Sequence, residues 1–478
     1  MANQAINDLI GLLGAEKVLT DESVLLNAEG PLTRPFERAF GYQPKHLPIA
    51  VVKAMSTEDV SKTLKYCNDN KISVITKTGA TCSEDQLIVI NDNTIFLDCE
   101  GMNQLIKLDA YNMMATVGCG MHLARLEELA NEQGLTTGHC PQSQPLACLG
   151  GLTATRSIGQ FSTYYGGIED LVCGLEAVLP NGEVVRIRNV PRRSAGPDLR
   201  HMFIGSEGAL AVITELTVKL FTYYPDDFWK GAFVVKSFEE GIDAIREIIT
   251  KGFRPSVVRL YDKPDMDLNY GSVELAEGEA CMFFVAEGPA DIARVTGENI
   301  MKIAEAHGAR WAGTQIVDHW LATRNNICNT IGGEEDAQKF RETKTFYATC
   351  EISASWSEIK DIYRNVMEKL PQNLENLVLL GGHVSHSYQT GTNVYFVYQL
   401  KATDPLKMNE DQWELIDMLC KEVLAQPTGG AMHHHGTGKV RVKLMHEEHG
   451  SSYPLMVGLK HMMDPNGIMN PGTLILQE

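Results

Sequence analysis

The chain has 478 residues, 44% of them hydrophobic and 22% charged, with a formal charge of −19 and a pI near 5.2. That length exceeds what one hydrophobic core fills, so more than one domain is expected. The acidic balance excludes nucleic acid and anionic membrane as general partners, because both need a basic face. The 11 cysteines are scattered from Cys67 to Cys420 without a C-x-x-C pair, which supports no disulfide framework, zinc ribbon or iron-sulfur site. No run approaches the roughly 18 apolar residues of a membrane span, and the start lacks a basic leader, so a cytoplasmic protein is expected.

In chain order, Ile6, Leu9, Ile10 and Leu13 recur at helical spacing, and residues 1–45 are predicted to be a helical lead-in punctuated by Phe36, Phe40 and Tyr42. Residues 46–225 are predicted as an α+β region rich in glycine loops. Its strands are expected at 49–52, 72–75, 95–97, 113–117 and 212–218, with a helix over 122–131. Ser56 and Asp59 form a capping-box pattern ahead of a helix carrying Val60, Leu64 and Cys67 on one face. A Pro-Asp-Asp break near residue 225 opens a second α+β region over 226–425. There strands are expected at 231–235, 257–261, 281–286 and 394–400, and helices at 238–250, 292–307 and 356–370. Loops are expected at 332–338 and 403–412. The last segment, 426–478, opens with GAMHHHGTGKVR and returns through a helix over 454–463.

Four segments carry chemistry. The strand before Lys77, Thr78, Gly79, Ala80, Thr81 and Cys82 ends in a small-residue turn whose amides can converge on an anion. Residues 139–172 combine Gly150 and Gly151, which admit close backbone approach, with the hydroxyls of Ser143, Thr153, Thr155 and Ser157. Residues 205–215, GSEGALAVITE, run from a glycine loop into a β-branched strand. Adjacent side chains point in different directions, so at most two of His433, His434 and His435 can serve one pocket. Arg259 in an apolar run is either paired with a neighbour such as Asp262 or reserved for an anionic substrate. Lys439 and Arg441 belong either to a solvated turn or to an anion site. A tyrosine such as Tyr395 in a β-rich run ordinarily fills a core.

The set TKTGATC, PQSQPLACLGGLTATRSIG, GIEDLV, GPD and GSEGALAVITE resembles the FAD-binding half of the vanillyl-alcohol oxidase and p-cresol methylhydroxylase flavoproteins. The later HHHGTGKVR and DPNGIMNPG resemble the branch of alkyldihydroxyacetonephosphate synthase and its bacterial FAD-linked relatives. The resemblance implies an α+β fold: a two-subdomain FAD-binding domain over 46–225, a cap over 226–425, and a 426–478 segment completing the flavin site. It implies non-covalent FAD. Residues 77–82 would cradle the pyrophosphate. Gln142, Ser143, Cys148, Gly151, Thr155, Arg156 and Ser157 would line the flavin and ribityl chain, and Glu207, Gly208 and Ile213 the adenosine end. The chain departs from the family in carrying Thr78 and Ala80 in place of glycines, and Cys148 where the synthase has a threonine. On the substrate side the resemblance points to Tyr395, His433, His434, His435, His139 and Arg259, with His383 nearby. Related D-2-hydroxyacid dehydrogenases hold a metal through positions that are Tyr395 and His434 here, so no metal is expected.

The function implied is an FAD-dependent oxidoreductase acting on a small hydroxylated anion such as a 2-hydroxy acid. Hydride would pass to flavin N5, with Tyr395 or a triplet histidine as base and Arg259 anchoring the anion. With no G-x-G-x-x-G fingerprint, electrons are expected to pass to an electron-transfer flavoprotein or a quinone-linked partner. A homodimer is expected. The alternative is a synthase-like transferase that uses FAD without net redox change, and a third reading is a subunit that relays electrons.

Overall fold

The computed structural model describes residues 2–226, 228–271 and 273–476. The apolar run near residue 50 forms the strand Ala50–Lys53, which pairs in parallel with Thr94–Asp98, and that strand in turn with Ser73–Lys77. Val18–Leu19 adds an antiparallel edge. Thr94–Asp98 is buried at every position, as a central parallel strand should be. Helix Thr57–Asn70 covers the sheet with Val60, Leu64 and Cys67 buried. Ser56 caps it by accepting the Asp59 N–H at 3.2 Å. The reciprocal half of the box is displaced: Asp59 accepts from the Met55 N–H at 2.9 Å and pairs with Lys17.

A five-stranded antiparallel sheet follows, in the order Leu105–Asp109, Met114–Gly118, Val212–Lys219, Val172–Val178, Val184–Ile187. The third sheet has seven antiparallel strands. Their order is Arg310–Gly313, Phe228–Val235, Ala280–Glu287, Val257–Asp262, Leu377–Val384, Gly391–Lys401, Thr345–Ser355. Alternation along each strand gives this sheet two different faces. Leu260, Phe284 and Phe396 pack under helices Phe238–Thr250, Ile359–Asn373 and Met408–Leu424. Arg259, Tyr261, His383, Tyr395 and Glu351 lie on the other face.

The expected loop at 332–338 is instead the start of helix Glu334–Thr343. It has no buried residue, so no apolar period announces it, while Glu334, Glu335 and Asp336 suit the positive end of its dipole. The expected loop at 403–412 ends early, because Met408–Leu424 begins inside it and buries Leu415, Ile416, Leu419, Cys420 and Val423. Strands Thr345–Ser355 and Leu377–Val384 and helix Gln315–Thr323 were not expected, and all three supply the site below. No helix among the described residues is long and apolar enough to cross a membrane.

Candidate active site

One cavity of about 710 Å³ lies between the glycine loops and the open face of the seven-stranded sheet. Residues 76–87 line it, together with Gln142, Ser143, Cys148, Gly151, Thr155, Ser157, Glu207, Gly208 and Ile213. These loops touch without room for side chains: a Cβ on Gly79 would fall 2.3 Å from the Leu146 carbonyl, and one on Gly208 2.5 Å from Thr76 Oγ1. Ala80 keeps the left-handed φ of +48° that a glycine would adopt freely. Burial pushes the Cys148 thiol up to about 12, so it stays protonated.

The far wall is built by strand register. Tyr261, His383, Tyr395 and Glu351 stand directly opposite one another on four neighbouring strands. The rings of His383 and Tyr395 stack at 4.9 Å, and His383 Nδ1 lies 2.6 Å from Asp265 Oδ2. The histidine run crosses this row. His434 and His435 line the cavity, while His433 stands behind them. His435 Nε2 is 3.0 Å from the Tyr395 hydroxyl, and its Nδ1 is 3.0 Å from Glu351. Burial opposes charge on His435, but the carboxylate of Glu351 outweighs it and holds the imidazole well above its usual value. His434 behaves oppositely, since burial and the neighbouring cation keep it neutral.

Arg441 explains why a carboxylate can be this deep. Its guanidinium is fully buried and reaches Glu351 at 2.8 and 3.2 Å and Glu84 at 3.1 Å. Glu84, Glu351 and His435 present their ligand atoms within 4.8 Å of one another, and Arg441 supplies the charge that this cluster needs. Neither Arg441 nor Lys439 faces the cavity. Lys439 donates to the Gln86 carbonyl and to Asn470 Oδ1, and burial lowers it to about 8. Gly438 is fixed by the same packing, because a Cβ there would overlap the Glu84 carbonyl at 1.8 Å.

Three arginines line the cavity, of which Arg34 is paired with Asp85 and the other two are not paired with a carboxylate. Arg259 lies 5.1 Å over the Trp320 ring and donates to Tyr261, and Arg324 lies 5.9 Å from that ring and donates to Gln160. Among the described residues neither forms an ion pair. Asp262, the partner considered for Arg259, instead caps helix Lys263–Asn269 through the Asp265 N–H at 2.9 Å. Arg324 follows a helix that the sequence reading lacked, and its helical spacing from Trp320 was the available signal.

Several expected site residues have other tasks. Arg156 has φ +54° and turns its exposed side chain to Glu169, so it does not line the cavity. The Glu207 carboxylate accepts the Thr437 and Gly438 amides, tying the histidine segment to the glycine loop. Burial nevertheless pushes it up to about 7. Lys77 points to Asp98 at 3.9 Å and lies over the Phe96 ring. His139 is 1% exposed, lies off the cavity, and has both ring nitrogens without a hydrogen bond.

Burial lowers His139 to about 4, which yields an expected result. A base with a lowered folded pKa contributes nothing above its ordinary value near 6.5 and costs stability as pH falls below it, by about 1.4 kcal/mol per pH unit. His139→Leu should therefore gain on the wild type by about 3 kcal/mol between pH 6.5 and 4. Denaturant titrations at both pH values check this, and parallel curves would refute it.

Residues 48–188 match the family described as FAD binding domain, and residues 230–474 that of FAD linked oxidases, C-terminal domain. The chain is 43% identical over 477 residues to the uncharacterized FAD-linked oxidoreductase YgcU of Escherichia coli strain K12, covering 98% of this chain and 97% of that one. It is 27% identical to the mitochondrial D-lactate dehydrogenase [cytochrome] of Arabidopsis thaliana, covering 92% and 76% of the two chains. Its fold matches that of alkyldihydroxyacetonephosphate synthase with a TM-score of 0.79 at 20% identity, over 98% of this chain and 84% of that chain. The cavity suits a dinucleotide on its own evidence, because Gly79 and Gly208 leave backbone bare at the loops and Thr78, Thr81, Ser143, Thr155 and Ser157 offer hydroxyls along the wall. The chain belongs to the FAD-linked oxidoreductases, and FAD is its cofactor.

Proposed function

We propose that the protein oxidises a small 2-hydroxy acid or similar hydroxylated anion. The observation that carries this reading is the pair Arg259 and Arg324, two guanidiniums without ion pairs lining the same cavity as Tyr395 and His434. Arg259 is buried and Arg324 half-buried; a buried guanidinium without a counter-charge is costly, and a carboxylate bound between the two offsets that cost. Bound FAD would accept the hydride.

The protein's own groups divide the remaining work. His434 is neutral, and its Nδ1 is engaged by His433, so Nε2 is the atom open to a substrate hydroxyl proton. His435 donates its Nε2–H to the Tyr395 oxygen, which leaves the Tyr395 hydroxyl proton free to point at the substrate oxygen. That donor stabilises negative charge as the hydroxyl deprotonates. Electron delivery to a separate partner is supported by the cytochrome-linked D-lactate dehydrogenase among the relatives.

Anaerobic addition of a panel of 2-hydroxy acids, beginning with D-lactate, tests the reading. One member should bleach the visible flavin absorbance. No bleaching by any of them, with turnover of acyl-dihydroxyacetone phosphate and a fatty alcohol, would return the synthase-like alternative. Arg259→Met or Arg324→Met should raise KM for the active acid about 10- to 100-fold, the loss of one charged hydrogen bond, with a smaller change in kcat. An unchanged KM in both would remove the arginine clamp.

A further inference from the structure

Oxidation of a hydroxyl, the reading this inference rests on, leaves one proton on the protein in each cycle. Four hydrogen-bonded branches lead away from the cavity imidazoles. The first, through His435, ends on Glu351 and Arg441, both 0% exposed. The second, through His383, reaches buried Asp265 and then the exposed Asn269, whose amide donates to Asp265 Oδ1 at 2.7 Å but cannot take up a proton and pass it on. The third, through His386, ends on buried Ser162 at 2.8 Å. The fourth runs from His434 Nδ1 to His433 Nδ1 at 2.8 Å, and from His433 Nε2 to the Tyr388 hydroxyl at 2.6 Å. Tyr388 is 36% exposed, so of the four branches this one alone reaches the surface through groups that can each take up and release a proton.

We propose that His433 and Tyr388 form the proton exit of the active site, carrying the substrate proton from His434 to water. His434 Nε2 takes the proton from the hydroxyl and gives its Nδ1–H to His433 Nδ1. His433 gives its Nε2–H to the Tyr388 oxygen, and the Tyr388 hydroxyl proton passes to water. One proton enters, one leaves, and nothing is oxidised or reduced along the row. Burial keeps both imidazoles neutral, His433 down to about 4, so neither traps the proton.

The surroundings agree. His386 stacks on His433 at 5.3 Å but spends its Nδ1 on Ser162, which keeps it out of the row. At the outer end Tyr388 feels the charges of Glu169, Arg156 and Asp170. Glu169 Oε2 is buried without a hydrogen bond, a ready acceptor for a proton arriving there. This accounts for the third histidine of the run, which stands behind the cavity wall.

The test uses the FAD-loaded protein and the variants Tyr388→Phe and His433→Gln. Independently of any substrate, proton NMR should show a downfield N–H shared by His433 and His434. Its exchange with D2O should slow at least about 10-fold in Tyr388→Phe and stay unchanged in Tyr395→Phe. With the acid that bleaches the flavin, both variants should lose about 10-fold in kcat with KM within twofold, a fraction of the usual general-base contribution. Added imidazole should restore the rate of Tyr388→Phe, and its solvent isotope effect should rise. An exchange rate indifferent to Tyr388 would overturn the relay, as would wild-type kcat in both variants. Failure of every acid would overturn the oxidation reading while the exchange measurement still decides the relay.

Discussion

Tyr395→Phe is expected to bind FAD normally and to lose about 10²- to 10³-fold in kcat, the scale seen when one donor to a developing oxyanion is removed. The size follows from the way the hydroxyl is held. Tyr395 is set by register between His383 and Glu351, and the imidazolium of His435 lies 3.0 Å from its oxygen. Phenylalanine keeps the ring stack on His383, so the wall and the cofactor loops stay in place. The proton aimed into the cavity is lost, and with it the oxygen that accepts the His435 Nε2–H. The FAD content of the purified variant, read with its turnover of the active acid, separates the two effects. Turnover within threefold of wild type would place the oxygen donor elsewhere.

The parts of this site that were legible in the sequence are those whose chemistry restricts residue type locally. Gly79 had to be small because it packs on the Leu146 backbone, and Gly151 and Gly208 because the Thr78 and Thr76 hydroxyls press on them; a strand leading into such a turn is visible in a dozen residues. Tyr395 and the histidine run stood out through the resemblance. Glu351 was hidden, since TFYATCEISAS alternates only partly and an acid in it looks solvent-facing. Its burial depends on Arg441, 90 positions later, which no local pattern reveals. Arg324 and Trp320 were missed with their helix. Arg156 shows the converse error: it sits beside true cavity residues in sequence, but a left-handed corner turns its side chain away to Glu169.

Arg441→Met is expected to destabilise the folded protein by about 3–5 kcal/mol, the cost of leaving a buried carboxylate without its partner. Glu351 would keep only His435 and the amides of His434 and His435, and Glu84 only the longer 3.7 Å contact to His435. Arg441→Met with Glu351→Gln should cost less than Arg441→Met alone, because the stranded charge is removed with its partner. The cluster also sets a pH window. Arg441 and His435 hold Glu351 well below the usual glutamate range against the effect of burial, so its contribution is present above about 4.3 and is lost as pH falls. Glu351 holds His435 well above its usual value against the effect of burial, so that contribution is complete below about 6.5 and fades as pH rises through the elevated value. The deficit of His435→Gln against wild type should therefore be largest near pH 5.5 and shrink at alkaline pH. Denaturation at fixed FAD across that range measures it. A deficit that grows with pH would mean that His435 is neutral in the folded protein, and Tyr395 would then lose the imidazolium that frees its proton for the substrate.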